Sequence, residues 1–203
     1  MVRNLWKLCI WALASVGFVA VAGALWFMSG GTSAQTPPGR IESAIARRAR
    51  SLAIPREIRS RRSSVPATPD AIAAGMRHFA DHCAVCHANN GSGDTEMGRG
   101  LYPRTPDMRA ATTQSLTDGE LFHIIENGVR LTGMPAWGNG STESEEASWN
   151  LVHFIRHVPK LTADELKEME HLNPKGPEDH MDPEEFLKGK DVPSPATPKH
   201  KHH

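Results

Sequence analysis

Cys83-Ala84-Val85-Cys86-His87 is the stretch on which the reading of this chain turns. On a helix, two thiols three positions apart lie on one side of one turn, and the next residue points its imidazole close by. This CxxCH spacing is that of covalent c-type haem attachment. The two cysteines reach both vinyl groups of one porphyrin, and the histidine meets the iron from the proximal side. A zinc site would need a second pair of ligands, yet the remaining cysteine, Cys9, sits inside an apolar run. A redox dithiol would need a βαβ setting, and none is visible. With three cysteines in all there is no disulfide framework, and a single CxxCH disfavours a dihaem peroxidase.

A six-coordinate haem iron needs a second axial ligand. Met97, Met108, His123, Met134 and the tail histidines lie downstream of the motif. Gly133-Met134-Pro135 places Met134 on an extended turn, where proline fixes the backbone and the thioether projects freely. Its separation from His87 leaves room for a helix to wrap the haem. Met134 is therefore the expected ligand, Met97 the next choice, and Met108 a core residue. His78 and His82 precede the motif on the proximal side and cannot easily reach the opposite face.

The helix signals are independent of the haem. Thr68-Pro69-Asp70 reads as an N-cap with proline at the first helical position, and Ile72, Gly75, Phe79 and Cys83 then follow the helical period. Thr117 and Glu120 form a capping box for a helix with Leu121, Ile124 and Ile125 inward, closed by Gly128. Thr142 with Glu145 opens another, with Ala147, Leu151, Phe154 and Val158 in one stripe. No stretch alternates as a strand, so the expected fold is all-α.

On these residues, positions from about 68 to 160 resemble a class I (monohaem) c-type cytochrome, of the membrane-anchored bacterial type. Gly75 and Phe79 match its N-terminal helix. Leu151 and Phe154 match the C-terminal helix that crosses it. Gly91, Gly93, Gly98, Leu101 and Pro103 match the loop after the haem motif, and Gly133 to Trp137 match the distal-ligand loop. The resemblance implies that a proline carbonyl of the first loop, Pro103 or else Pro106, accepts a hydrogen bond from His87. It also implies haem attachment outside the bacterial cytoplasm. Arg99, Arg104, Arg130 and Trp137 are candidates to bond the propionates. One covalent haem c on Cys83 and Cys86, ligated by His87 and Met134, leaves the iron no open position. That suits one-electron transfer without catalysis.

Outward from this domain (67–160) the chain changes character. Leu8 to Met28 carries no charge over 21 residues, enough for a helix to cross the roughly 30 Å hydrocarbon core of a bilayer. Residues 1–30 read as a single transmembrane anchor. A cleaved signal peptide, processed near Thr32-Ser33-Ala34, is the competitor. Residues 31–66 read as a basic juxtamembrane linker: eight arginines from Arg40 to Arg62 face only Glu42 and Glu57. Ile41, Ile45 and Leu52 lie near helical spacing there, so this is either an amphipathic helix on an anionic membrane or a solvated linker. Residues 161–203 read as a short helix plus a disordered, acidic, His-rich tail with His171, His180, Met181, His200, His202 and His203. Such a tail is either a solvated segment or a site for copper, zinc or nickel.

The whole chain balances 23 basic against 23 acidic residues, but residues 1–62 hold 10 and 2, and residues 63–160 hold 7 and 11. A folded part of net negative charge argues against a nucleic-acid partner. The arginines alone would put the C-terminal side in the cytoplasm. Haem attachment overrules them and places the haem domain in the periplasm, at a bacterial inner membrane. The expected partners are redox proteins: a periplasmic dehydrogenase, a terminal oxidase or another respiratory complex. A haem-based sensor, with Met134 off the iron, and a metal-handling protein are the alternatives.

Overall fold

The computed structural model describes residues 2–29 and 33–174. The tail histidines His180, His200, His202 and His203, with Met181, lie outside the described residues, as does Thr32. Two compact units divide between Thr36 and Pro37.

The first unit is one helix, α1 (Val2–Ser29). Its span Trp6–Trp26 has a mean hydropathy of 2.2. Trp11, Phe18 and Trp26 stand bare along it. By length and composition this helix can cross a membrane.

Among its described residues the second unit is built of helices and loops, with no strand. Helices α2 (Arg40–Ala53) and α3 (Arg56–Arg59) lead into α4 (Pro69–His78). A π-helical turn, Phe79–Cys83, joins α4 to α5 (Ala84–His87). The single turns α6 (Glu96–Gly100) and α7 (Ala111–Gln114) follow, then α8 (Asp118–Asn127), α9 (Thr142–His157) and α10 (Ala163–Leu172). The caps explain the starts. The Thr68 hydroxyl accepts from the amide of Ala71 at 3.2 Å. Thr117 with Glu120, and Thr162 with Glu165, each close a capping box. At α9 the cap is Ser141, which accepts from Ser144, so Thr142 is the first helical residue and not the cap expected from sequence.

The core forms where α4 and the π turn cross α9. Gly75 makes the crossing close: a Cβ there would strike the Asn150 carbonyl and lie 2.9 Å from the Phe154 Cβ. Phe79 and Phe154 then meet with ring centroids 5.1 Å apart, both fully buried. Phe122 of α8 stacks on Trp149 of α9 at 4.3 Å. Ile124 is half-buried and Phe122 takes the inward place expected of it. Met108 lies in this core, as expected.

Packing extends past both ends of the stretch 67–160. Ile54 is buried, and the carbonyl of Ile58 abuts Gly119 so closely that no side chain fits there. The Arg61 guanidinium lies 4.6 Å from the Phe122 ring centre and pairs with Glu145 at 2.6 Å. At the other end Met169 of α10 is fully buried. The stretch expected to be a basic linker thus contributes core contacts from Ile54 onward.

Two predictions follow from this packing. Gly75→Ala should cost about 1–3 kcal/mol by overpacking, although alanine is by itself the better helix former by about 1 kcal/mol. A urea midpoint unchanged from that of the parent chain would show that the crossing is looser. The second concerns His78, held below its ordinary value of 6.5 by burial and by neighbouring His82, against a smaller opposing pull from Asp81. The unfolded chain therefore binds a proton that the folded one resists, and stability should fall as pH drops below 6.5. His78→Gln should flatten that part of the melting-temperature profile; an unaltered slope would assign it to another group.

Candidate functional site

The motif sits where the helix from α4 ends. The π turn ends at Cys83, and the short helix α5 carries Cys86 and His87. Wide turns of this kind are frequent at functional sites. The loop that follows laces itself to the backbone of this turn. The Thr95 hydroxyl donates to the carbonyls of Val85 at 2.8 Å and Cys86 at 3.2 Å, and the Gly93 amide donates to that of His87 at 2.8 Å. Gly93 has φ +72° and lies against the Thr105 carbonyl, so both its conformation and its surroundings require glycine. Met108 closes the loop by donating to the Gly91 carbonyl at 2.7 Å.

His87 is buried, at 7% exposure, with its ring centre 6.2 Å from that of Phe79. Burial lowers its pKa to about 4, so the ring is neutral near pH 7 and keeps a lone pair for a metal. Its Nδ1 is buried without a hydrogen-bond partner. The acceptor expected from the resemblance, the carbonyl of Pro103 or Pro106, is therefore not engaged. Cys83 is pushed up to about 12 by burial and then by Cys86, and burial raises Cys86 as well. Redox dithiols have the opposite tuning, with a thiolate stabilised near neutrality.

Met134 lies on the loop between α8 and α9, half-buried. The loop is closed on itself. The Val129 amide donates to the Met134 carbonyl at 3.1 Å, and the Met134 amide to the Thr132 hydroxyl at 3.1 Å. Two contacts bring this loop to the motif. Gly133 abuts the Leu101 side chain of the loop after His87. Trp137 meets the His82 ring edge-on at 5.3 Å, next to Cys83. Beside Met134, Leu131 is 91% exposed with a left-handed φ of 63°. Val85 and Met97 are also largely bare. Two protonated thiols, a neutral imidazole with an unpartnered nitrogen, a thioether loop and uncovered apolar side chains are a donor set that fits a haem.

The other candidates are placed as follows. Arg99 pairs with Asp94 at 2.6 Å; Arg104 and Arg130 are exposed. His123 is half-buried and held by Asn127. His171 is exposed at the end of α10. Among the described residues no three His, Cys, Asp or Glu side chains converge on a metal-sized space. Sequence reasoning missed Arg61 and Arg156. The Arg156 guanidinium donates to Asp118 at 2.9 Å, to the Gln114 carbonyl at 2.7 Å and to the Leu116 carbonyl, sewing α9 to the start of α8. Only the long-range partners identify such residues.

Residues 70–155 match the family model described as cytochrome c oxidase, cbb3-type, subunit III. No curated protein matches the chain. The match spans α4 through most of α9, and so contains the motif turn, the laced loop and the Met134 loop. The chain therefore carries a cytochrome c domain, a module of haem-based electron transfer, within an all-helical fold.

Proposed function

We propose that this chain is a membrane-tethered monohaem cytochrome c that carries single electrons between periplasmic or membrane redox partners. The observation that supports it most is the buried, neutral His87 directly after two protonated thiols, with the Met134 loop set against the same turn through Leu101 and Trp137. Cys83 and Cys86 would hold the haem covalently, His87 would bind its iron through Nε2, and Met134 through its sulfur. Haem held there supplies a one-electron ferric–ferrous couple. The protein's part is to keep both ligands in place through the change of charge. The hydrogen bonds from Thr95 and Gly93 hold the proximal turn, and those within Val129–Met134 hold the distal loop. With His87 and Met134 both holding the iron, no position would be left for a substrate, so we assign the chain no catalysis of its own.

Helix α1 supports the tether, and haem attachment supports a periplasmic domain at a bacterial inner membrane. The oxidase subunit in the family description supports a terminal oxidase among the partners. The net negative charge of residues 63–160 supports a partner with a basic docking face.

Two measurements test this. The full chain matured with haem should give a low-spin spectrum with a methionine–iron charge-transfer band and no response to carbon monoxide. Met134→Ala should lose the band, bind carbon monoxide and have a lower reduction potential. Carbon monoxide binding by the parent protein would instead indicate an open iron and a sensor. Electron-transfer rates to a basic partner should fall several-fold between about 0.01 and 0.15 M salt, as the screening length shrinks from about 30 to 8 Å. A flat profile would remove the docking idea.

A further inference from the structure

Helix α2 has a face that the fold does not use. Ile41, Ile45 and Leu52, at positions i, i+4 and i+11, share one side of it and are 70%, 64% and 68% exposed. Glu42, Ser43, Arg50 and Ser51 are half-buried, so the contact with the rest of the unit is made on the other side. No residue of α2 is buried. A 14-residue helix with so little packing is marginal in water, where isolated helices need at least about 12–15 residues even with strong helix formers.

We propose that this face of α2 lies in the headgroup region of an anionic lipid bilayer, with its isoleucines and leucine against the acyl chains and its arginines among the phosphates. Three observations select that occupant. The helix carries Arg40, Arg47, Arg48 and Arg50 against one acid, Glu42. That acid is already engaged, accepting from the Tyr102 hydroxyl and, at 3.4 Å, from the Gly39 amide. Among the described residues the remaining charge is uncompensated, and it suits a surface of phosphates. It also disfavours a second copy of the chain, since two such helices would bring like charges together. Finally, ten residues separate Ser29, the end of α1, from Arg40. Extended, they reach at most about 35 Å, so α2 stays within reach of any bilayer that α1 crosses.

The inference rests on the tether in the proposed function, and it adds an orientation. The Tyr102 hydroxyl holds Glu42 from the loop that follows His87, and Ile54 is buried directly after α2. Seating α2 on lipid therefore holds the haem domain to the surface beside that loop, instead of leaving it on a free leash.

Spin labels test this in the full haem-loaded chain, with Cys9→Ser leaving no other free thiol. Ile45→Cys and Leu52→Cys report the apolar face, and Ser43→Cys the opposite side. In vesicles containing an anionic phospholipid, the first two should be several-fold more accessible to oxygen than to a water-soluble nickel complex, and the third should not. Arg47→Glu with Arg48→Glu should abolish the protection. Nickel access to both apolar positions would overturn the proposal. So would protection accompanied by spin–spin broadening and indifferent to lipid charge, which means a second copy. Flotation of the chain with the vesicles, read in the same samples, separates these results from failure of the tether. The haem spectrum separates them from failure of the electron-carrier reading.

Discussion

The close crossing of α4 and α9 at Gly75 is the constraint from which the rest of the domain follows. A side chain at Gly75 would collide with the Asn150 carbonyl, so only glycine lets the two backbones approach this closely. That approach seats Phe79 on Phe154, and Phe79 in turn lies beside His87. The burial that keeps the imidazole neutral is thus inherited from a contact twelve residues earlier in the chain. Packing and ligand chemistry are one problem here. A helix pair held further apart would admit water to His87 and let it take up a proton more readily as the pH falls, and a protonated imidazole has no lone pair for iron.

The proximal turn is fixed by a second device, since one turn of helix cannot hold itself. Its carbonyls at Val85, Cys86 and His87 would end a helix unsatisfied. The loop through Gly93 and Thr95 supplies their donors, and the same loop carries Leu101 to the Met134 side. One connection therefore caps the motif and positions the distal loop, and its glycines and threonine serve geometry before chemistry.

Much of this was legible in sequence because it depends on local rules. Thr68-Pro69, the Thr117–Glu120 box and the CxxCH spacing each state their own geometry, and the crossing residues Gly75, Phe79, Leu151 and Phe154 follow a helical period. What was not legible depends on distant partners. The π turn at Phe79–Cys83 has no local signature; of the elements against it, α10 lies far along the chain. Ile54, Ile58 and Arg61 read as linker because an arginine-rich stretch looks solvated until Phe122, Trp149 and Glu145 are seen to receive it. The Pro103 carbonyl came from resemblance alone, and His87 Nδ1 has no partner in the fold.

The arginines show how one composition can serve two purposes within a short span. Arg59 and Arg61 serve the fold. Arg59 faces Glu120 at 3.8 Å, and Arg61 pairs with Glu145 over an aromatic ring. Before Ala53 the arginines have, among the described residues, no acidic counterpart beyond the engaged Glu42, and they share a helix with a bare apolar stripe. A solvated linker gains nothing from isoleucines at helical spacing, and a core helix would bury them. An interfacial helix requires both the stripe and the surplus charge. The change from one use to the other falls at Ile54, where the chain first becomes buried. That residue marks the boundary between the part of the chain that answers to its own core and the part that answers to its surroundings.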